Sequence, residues 1–471
     1  MNSIAILMPR RCHALMERFR SFENRGTARP RGRGAALILA ACFTAACGPP
    51  PRDTPFLGTG PVLIFDIDTL RADHLGCYGY DRETSPRIDA LANEGYRFEW
   101  AFSQAPKTSL SQGSIFTGLY PSTHGLIEDG EHLSESLTTL AEAFSASGYR
   151  TAAFVDGGYM QAKYGFDQGF ETYEVHHRTG LETLGPRVIE WLSEHEQETF
   201  LLLVHTYDVH HPFEAPEPYH SMFLADIERT LDAVRAQAVF DGVEGSREIP
   251  LSPYDLAHSQ ALYDGGIRFA DDWIGRILDV VWRLGLDRRA TIVLLSDHGE
   301  AFQEHGLRGH SRLYAPVTRI PLVIRPPGGR EGKVLPDVVQ SIDVMPTLLD
   351  GAGIDLPPGL QGRSLIPLLR GESLRPRPAF AEAPWFHQSA VAFGEHQLVL
   401  SEDQGRELFE FRRDPLELHD ISAQRPQDVD ELGAIGKRWR KAVERRGRPD
   451  IVPSPLDEKT LDDLRALGYI Q

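Results

Sequence analysis

The sequence predicts an α/β fold: a mostly parallel central sheet flanked by helices, followed by a small C-terminal α+β subdomain. Three observations carry this. Short apolar runs such as VLIFDID (62–68), FLLLVH (200–205) and the start of TIVLLSDHGE (291–300) fit strands buried on both faces. Segments of helical character lie between them, and strands alternating with helices build parallel sheets. Beyond residue 371 the pattern changes to AVAFGEHQLVLSED and ELFEFRRDPLELHD, read as short antiparallel strands with turns.

In chain order, residues 1–47 read as an export signal of lipoprotein type. The first 34 residues carry eight arginines against Glu17 and Glu23, and AALILAACFTAACG follows, an apolar run too short to span a bilayer. Cys47 is the preferred lipidation point and Cys42 the alternative; the plainer reading is a cleaved signal without lipid. Residues 48–60, GPPPRDTPFLGTG, read as a linker. Residues 61–371 form the main domain, 372–425 the antiparallel subdomain, and 426–471 a helix and tail. Within the main domain 85–95, 136–148, 186–198 and 260–285 read as helices. Residues 62–68, 151–155, 200–205 and 319–327 read as strands, and 291–300 as a strand running into a loop.

With 471 residues, 41% hydrophobic, the chain can bury one large core or two unequal ones. Its formal charge is −18, and without residues 1–47, which carry a net +6, it is −24. Such a surface argues against nucleic acid or an anionic membrane as partner, so the membrane is expected only through the lipid anchor. A local metal site still admits an anionic substrate. If Cys47 is lipidated, only Cys77 remains in the folded part, and no disulfide framework is expected.

In sheets of this kind ligands bind at the carboxyl ends of the strands. Asp68, with Asp66 and Asp73 nearby, ends the first strand and suits a hard cation, although a lone Asp there is more often a cap or turn residue. Asp297 and His298 in SDHGE follow another strand, and Gly299 permits a tight turn. HTYDVHHPF (205–213) sets three histidines and an Asp beyond a third strand, where the bland reading is a surface loop with one structural histidine. His305 and His310 follow in a glycine-bearing loop. In PKTSLSQGSIFTG (106–118) three hydroxyl residues, Thr108, Ser109 and Ser111, open a helix. Their common use is as an N-cap cluster. Beside a metal ion, with helix N–H groups aimed at a transferring anion, one of them becomes a nucleophile.

DTLRADHLGCYGY, TSLSQGSIFTGLYPSTHG, GYRTAAFV, GFDQGFETY, DVHHPFEAP, SDHGEAFQEHG, LYAPVTRIPLVIRPP, SIDVMPTLLDGAG and GRSLIPLLRG resemble, in order, the sulfatase family of the alkaline phosphatase superfamily. The resemblance covers about residues 61–471. It implies the alkaline-phosphatase/sulfatase-like fold and hydrolysis of sulfate or phosphate esters of a small molecule or glycan. It also implies metal ligands at Asp68, Thr108, Asp297 and His298, with Thr108 at the nucleophile position ten residues before Gly118. His210 and His310 match substrate-binding or catalytic positions. Lys107 and Arg71 are further candidates for the substrate anion, Arg71 alternatively for orienting Asp68.

The departures matter. The family's Cys-x-Pro-x-Arg is here Thr108-Ser109-Leu110-Ser111-Gln112, so no formylglycine is expected. Its Gly-Lys-Trp-His segment is absent, and Asp156 stands near the expected lysine. One or two divalent ions are implied; the nitrogen of His298 favours zinc or manganese, with calcium possible. Threonine in this role is similar to the phosphodiesterase and phosphoethanolamine-transferase branches. The reading of another class is a catalytically silent, lipid-anchored binding protein.

Overall fold

The computed structural model describes residues 55–128, 130–177, 179–224 and 251–451, and the isolated residues 453, 454, 458 and 464. The export signal, the lipidation candidates Cys42 and Cys47, and the first part of the linker lie outside the described residues.

The main sheet follows the order β11-β2-β10-β6-β1-β5-β3-β4, with β9 paired to β2. At its centre β1 (Val62–Ile67) runs parallel to both β5 (Phe200–Thr206) and β6 (Thr291–Leu295). All three strands are buried along their whole length, as expected for runs without an exposed face. On the β5 side follow β3 (Arg150–Val155) and β4 (Thr172–Val175), both parallel. On the β6 side lies β10 (Leu322–Arg325), antiparallel, then β2 (Tyr96–Phe102) and β11 (Lys333–Gln340). The 319–327 run is broken into β9 (Arg319–Ile320) and β10, both antiparallel to β2, with β10 also paired to β6.

Side chains alternate across the sheet with a period of two. Leu63, Phe65 and Ile67 enter one apolar cluster, while Val62 and Ile64 enter the other. The first cluster is covered by the Pro253–Arg283 helix, which starts with a Ser252–Asp255 capping box and buries Leu262, Ile267, Ile274 and Ile277. The second is covered by helices that include Thr108–Thr117, through Ile115 and Phe116. Asp66 shares the parity of Ile64, so β1 delivers its acids to the layer that holds this second helix.

The C-terminal strands β12 (Ala379–Ala383), β13 (Gln388–Phe393), β14 (His396–Ser401) and β15 (Gly405–Phe409) form an antiparallel meander. The Pro426–Glu444 helix packs on it through Val429, Leu432 and Val443 against Val391, Leu398 and Leu408. This sheet belongs to the same compact unit as the main domain, Thr54–Gln471. Phe411 joins the two, set edge-on to Trp100 and Phe102 of β2. Among the described residues no helix is long and apolar enough to cross a membrane.

Candidate active site

The ends of β1, β5 and β6 converge as their parallel pairing requires. Asp68 follows β1, and the next residue, Thr69, turns the chain in the left-handed region at φ 57° with its hydroxyl on the Asp68 carbonyl. A β-branched residue held there marks a local strain imposed by its surroundings. Asp297 and His298 follow β6. Gly299 lets this turn pass close to the next segment, because a Cβ there would meet the Pro316 carbonyl oxygen at 2.2 Å.

Asp68, Asp297 and His298 are wholly buried, and one ligand atom from each lies within 4.8 Å of the others. The Thr108 hydroxyl donates to Asp68 Oδ2 at 2.9 Å and lies 3.4 Å from His298 Nε2. His298 Nδ1 meets the Gly299 carbonyl at 3.1 Å, which assigns its proton to Nδ1 and leaves Nε2 as a lone pair facing Thr108. Asp68 Oδ1 and Asp297 Oδ2 are buried without a hydrogen-bond partner. Burial holds both carboxyls well above the usual range, with the Asp66 charge adding to the shift of Asp68 and the Asp68 charge to that of Asp297. Burial drives His298 down to about 3. Unpaired buried oxygens beside a neutral imidazole and a hydroxyl fit a divalent cation, which would relieve the charge crowding that burial creates.

Thr108 begins the Thr108–Thr117 helix, with Lys107 at the capping position and all ten helical residues buried. Such a helix start offers N–H groups and positive potential to an anion. The other two hydroxyls are separated from the centre. Ser111 donates to the Asp297 carbonyl at 2.7 Å and so fixes the β6 turn, while Ser109 has no partner for its buried oxygen. Gln112, one turn after Thr108, donates to Asp66 Oδ2 at 2.8 Å.

His210 and His310 come together from distant parts of the chain. Their Nε2 atoms are 3.2 Å apart, and their Nδ1 atoms sit on the carbonyls of His211 (2.5 Å) and Pro106 (2.8 Å). The His310 ring also stacks on His298, centroids 4.4 Å apart. Two Nε2 lone pairs at this distance share one proton, one cation or one anionic substrate with its proton. Lys107 stands beside them, its ammonium 4.5 Å over the Trp385 ring and its charge felt by His298 and His310.

Arg71 requires a correction. It is buried, and its guanidinium is engaged by Asp73, Glu304 and the Glu300 carbonyl. It braces the first loop against the SDHGE loop and neither orients Asp68 nor faces the centre. Asp156, near the position of the missing lysine, accepts the N–H groups of Thr179 and Gly180 and caps the Gly180–Glu194 helix.

Three further residues lie at the site: His205 and Asp66, which the sequence marked only as part of its acid- and histidine-bearing strand ends, and Tyr207, which it did not mark. His205 pairs in register with Asp66, lies 3.7 Å from Asp68 Oδ2, and has no hydrogen-bond partner on either ring nitrogen. Asp66, buried beneath the site, is pushed up to about 7 by burial and then by Asp297. Tyr207, also buried, accepts the Tyr159 N–H and lies beside Thr108. Their signal was cross-strand register, which only the pairing of β1 with β5 reveals.

A doubly covered, mostly parallel sheet with acids and imidazoles at its strand ends, facing a buried hydroxyl at a helix start, defines an α/β ester hydrolase of the alkaline phosphatase type. The Sulfatase family profile matches residues 62–354, and the one described as N-sulphoglucosamine sulphohydrolase, C-terminal, matches 303–432. The chain belongs to the sulfatase family. It is 24% identical over 459 residues to the Arylsulfatase of Clostridium perfringens, covering 79% of this chain and 93% of that protein. It is 27% identical over 395 residues to the Multifunctional alkaline phosphatase superfamily protein PehA of Trinickia caryophylli, covering 65% and 76%. The fold matches the Phosphonate Monoester Hydrolase of Agrobacterium radiobacter with a TM-score of 0.68 at 22% identity, covering 82% of this chain and 96% of that one.

Proposed function

We propose that the protein is a metal-dependent ester hydrolase with Thr108 as nucleophile, and that it turns over phosphorus esters faster than sulfate esters. The observation that carries the reading is the position of the Thr108 hydroxyl, 2.9 Å from Asp68 and 3.4 Å from His298, at a helix start. Asp68, Thr108, Asp297 and His298 would hold a divalent ion, which would supply Lewis acidity and lower the pKa of the hydroxyl.

Thr108 Oγ1 gives its proton to the carboxylate cluster and attacks phosphorus or sulfur. The bond to the leaving oxygen breaks, and that oxygen takes the proton held between His210 and His310. The helix N–H groups and Lys107 hold the non-bridging oxygens through the step. Water then attacks the Thr108 ester and restores the hydroxyl. A formylglycine hydrate can expel sulfate by elimination; a threonine ester has no such route. It must be attacked at the central atom, which phosphoryl chemistry supports when charge is neutralised around the oxygens.

The test is side-by-side turnover of aryl phosphate, aryl phosphodiester and aryl sulfate, after loading with zinc, manganese or calcium. Phosphorus turnover that exceeds sulfate turnover and disappears in Thr108→Ala is the expected result. Dominant sulfate turnover would overturn the preference for phosphorus. A product carrying the phosphoryl group on a sugar acceptor would instead identify a transferase. We further propose export and lipid attachment at Cys47, tested by mass spectrometry of the mature N-terminus.

A further inference from the structure

In a chain of formal charge −18, the stretch from Lys437 to Arg448 holds seven bases against the one acid Glu444. All seven bases are exposed. The Pro426–Glu444 helix buries Val429, Leu432, Gly436 and Val443 on one side. Counted at 3.6 residues per turn, Lys437, Arg438, Lys441 and Arg445 fall on the opposite side. None of these four side chains pairs with an acid among the described residues. A solvated helix face would account for such a run alone, but its neighbours do not fit that reading.

The basic stretch ends against the loop that follows the Val344–Ala352 helix, where the Arg446 guanidinium donates to the Gly359 carbonyl at 2.6 Å. At the start of the same loop Pro55 packs on Gly353, whose Cβ, if present, would meet the proline ring at 2.8 Å. The Leu57 N–H donates to the Gly351 carbonyl at 2.8 Å and fixes this entry. Pro55 is the first described residue, so the preceding linker joins the folded unit here. Gly353 and Gly359 are six positions apart, hence no more than about 22 Å apart in space.

Between these two points the loop reads GIDLPPG, and Leu356 is 45% exposed. A hollow of about 480 Å³ beside it is lined by Pro358, Arg446, Arg448 and Thr123. Thr123 is itself buried, and its hydroxyl has no hydrogen-bond partner. The exposed acids of the region are Asp355, Glu444 and Asp450, fewer than half as many as the bases. Bases, a free hydroxyl and an exposed leucine together suit phosphate headgroups and the apolar boundary beneath them.

We propose that this region docks on an anionic phospholipid bilayer, with its bases on the headgroup phosphates and Leu356 at the headgroup boundary. The net charge of the chain speaks for the molecule as a whole, and the last helix is a local exception to it. Leu356 and the entry of the chain at Pro55 favour a bilayer. A nucleic acid would run past the patch and meet the acidic remainder of the surface. The proposal goes beyond the reaction at Thr108 and stands whether or not Cys47 carries lipid; a lipid chain there would add to the binding.

The test uses residues 48–471, which hold the whole compact unit from Thr54 and carry no lipid. Flotation compares vesicles of phosphatidylcholine with vesicles in which about a third of the lipid is phosphatidylglycerol. Partitioning is expected to be at least roughly tenfold stronger onto the anionic vesicles, and to fall when salt rises from about 0.1 M to about 1 M. Arg438→Glu, Lys441→Glu and Arg445→Glu together remove that preference, while the thermal midpoint and aryl-ester turnover stay unchanged. The charge-keeping set Arg438→Lys, Lys441→Arg and Arg445→Lys retains it. Equal partitioning onto the two kinds of vesicle, none onto either, a preference that survives the three Glu substitutions, or tighter binding to duplex DNA than to the anionic vesicles would overturn the proposal. Failure of lipid attachment is seen separately, in the mass of the mature N-terminus.

Discussion

Thr108, Asp68, Asp297 and His298 act as one group because burial removes water from all of them at once. Burial away from water raises the pKa of both carboxyls, and a cation between them would keep both ionised. Asp297→Asn is therefore expected to lower affinity for zinc or manganese by at least roughly 100-fold, the upper end of what outer-sphere partners cost. Competition against a chelator measures it. His124 gives a test away from this cluster. It lies against the Leu110 carbonyl at 3.1 Å, and burial lowers its pKa to about 3. The unfolded chain, with a histidine near 6.5, takes up the proton first as pH falls. Stability from this group is complete above pH 6.5 and declines towards pH 3. Between pH 6.5 and 5 the loss is about 2 kcal/mol, and His124→Gln should lack it, as read from urea unfolding at the two pH values.

At the scale of elements, the SDHGE turn and the Thr108–Thr117 helix position each other through Ser111 and the Asp297 carbonyl. Gly299→Ala would drive a methyl into the Pro316 carbonyl and displace Asp297 and His298. Turnover and metal content should fall together while circular dichroism stays native; retention of both would show that the turn tolerates the shift. The strands β1, β5 and β6 were legible because their apolar runs end in acids and histidines. β11 was not, since Pro336 interrupts it and the register slips between Leu335 and Val338. β2 and β4 carry charged or polar side chains at alternate positions and lack the continuous apolar run. The grouping of Asp68, Asp297 and His298 was readable from their places after strands. The meeting of His205 with Asp66 was not, because it depends on register, nor was the engagement of Arg71, whose partners Asp73 and Glu304 belong to two different loops.

For the whole molecule, the C-terminal sheet completes the main domain and does not stand alone. Phe411 is fully buried between Trp100 and Phe102, and Leu398 is fully buried under the last long helix. Phe411→Ala should cost about 3–5 kcal/mol. It should lower one common unfolding transition, observed by tryptophan fluorescence and circular dichroism; two separated transitions would contradict a single unit. The same closure brings Trp385 to Lys107, a relation between residues far apart that no local pattern encodes.

The most direct measurement is rapid acid quench of the metal-loaded protein during turnover of an aryl phosphate labelled at phosphorus, followed by peptide mapping. The account predicts label on the peptide that contains Thr108, on Thr108 itself, and none in Thr108→Ala. Label on a different residue, or full turnover by Thr108→Ala, would contradict it.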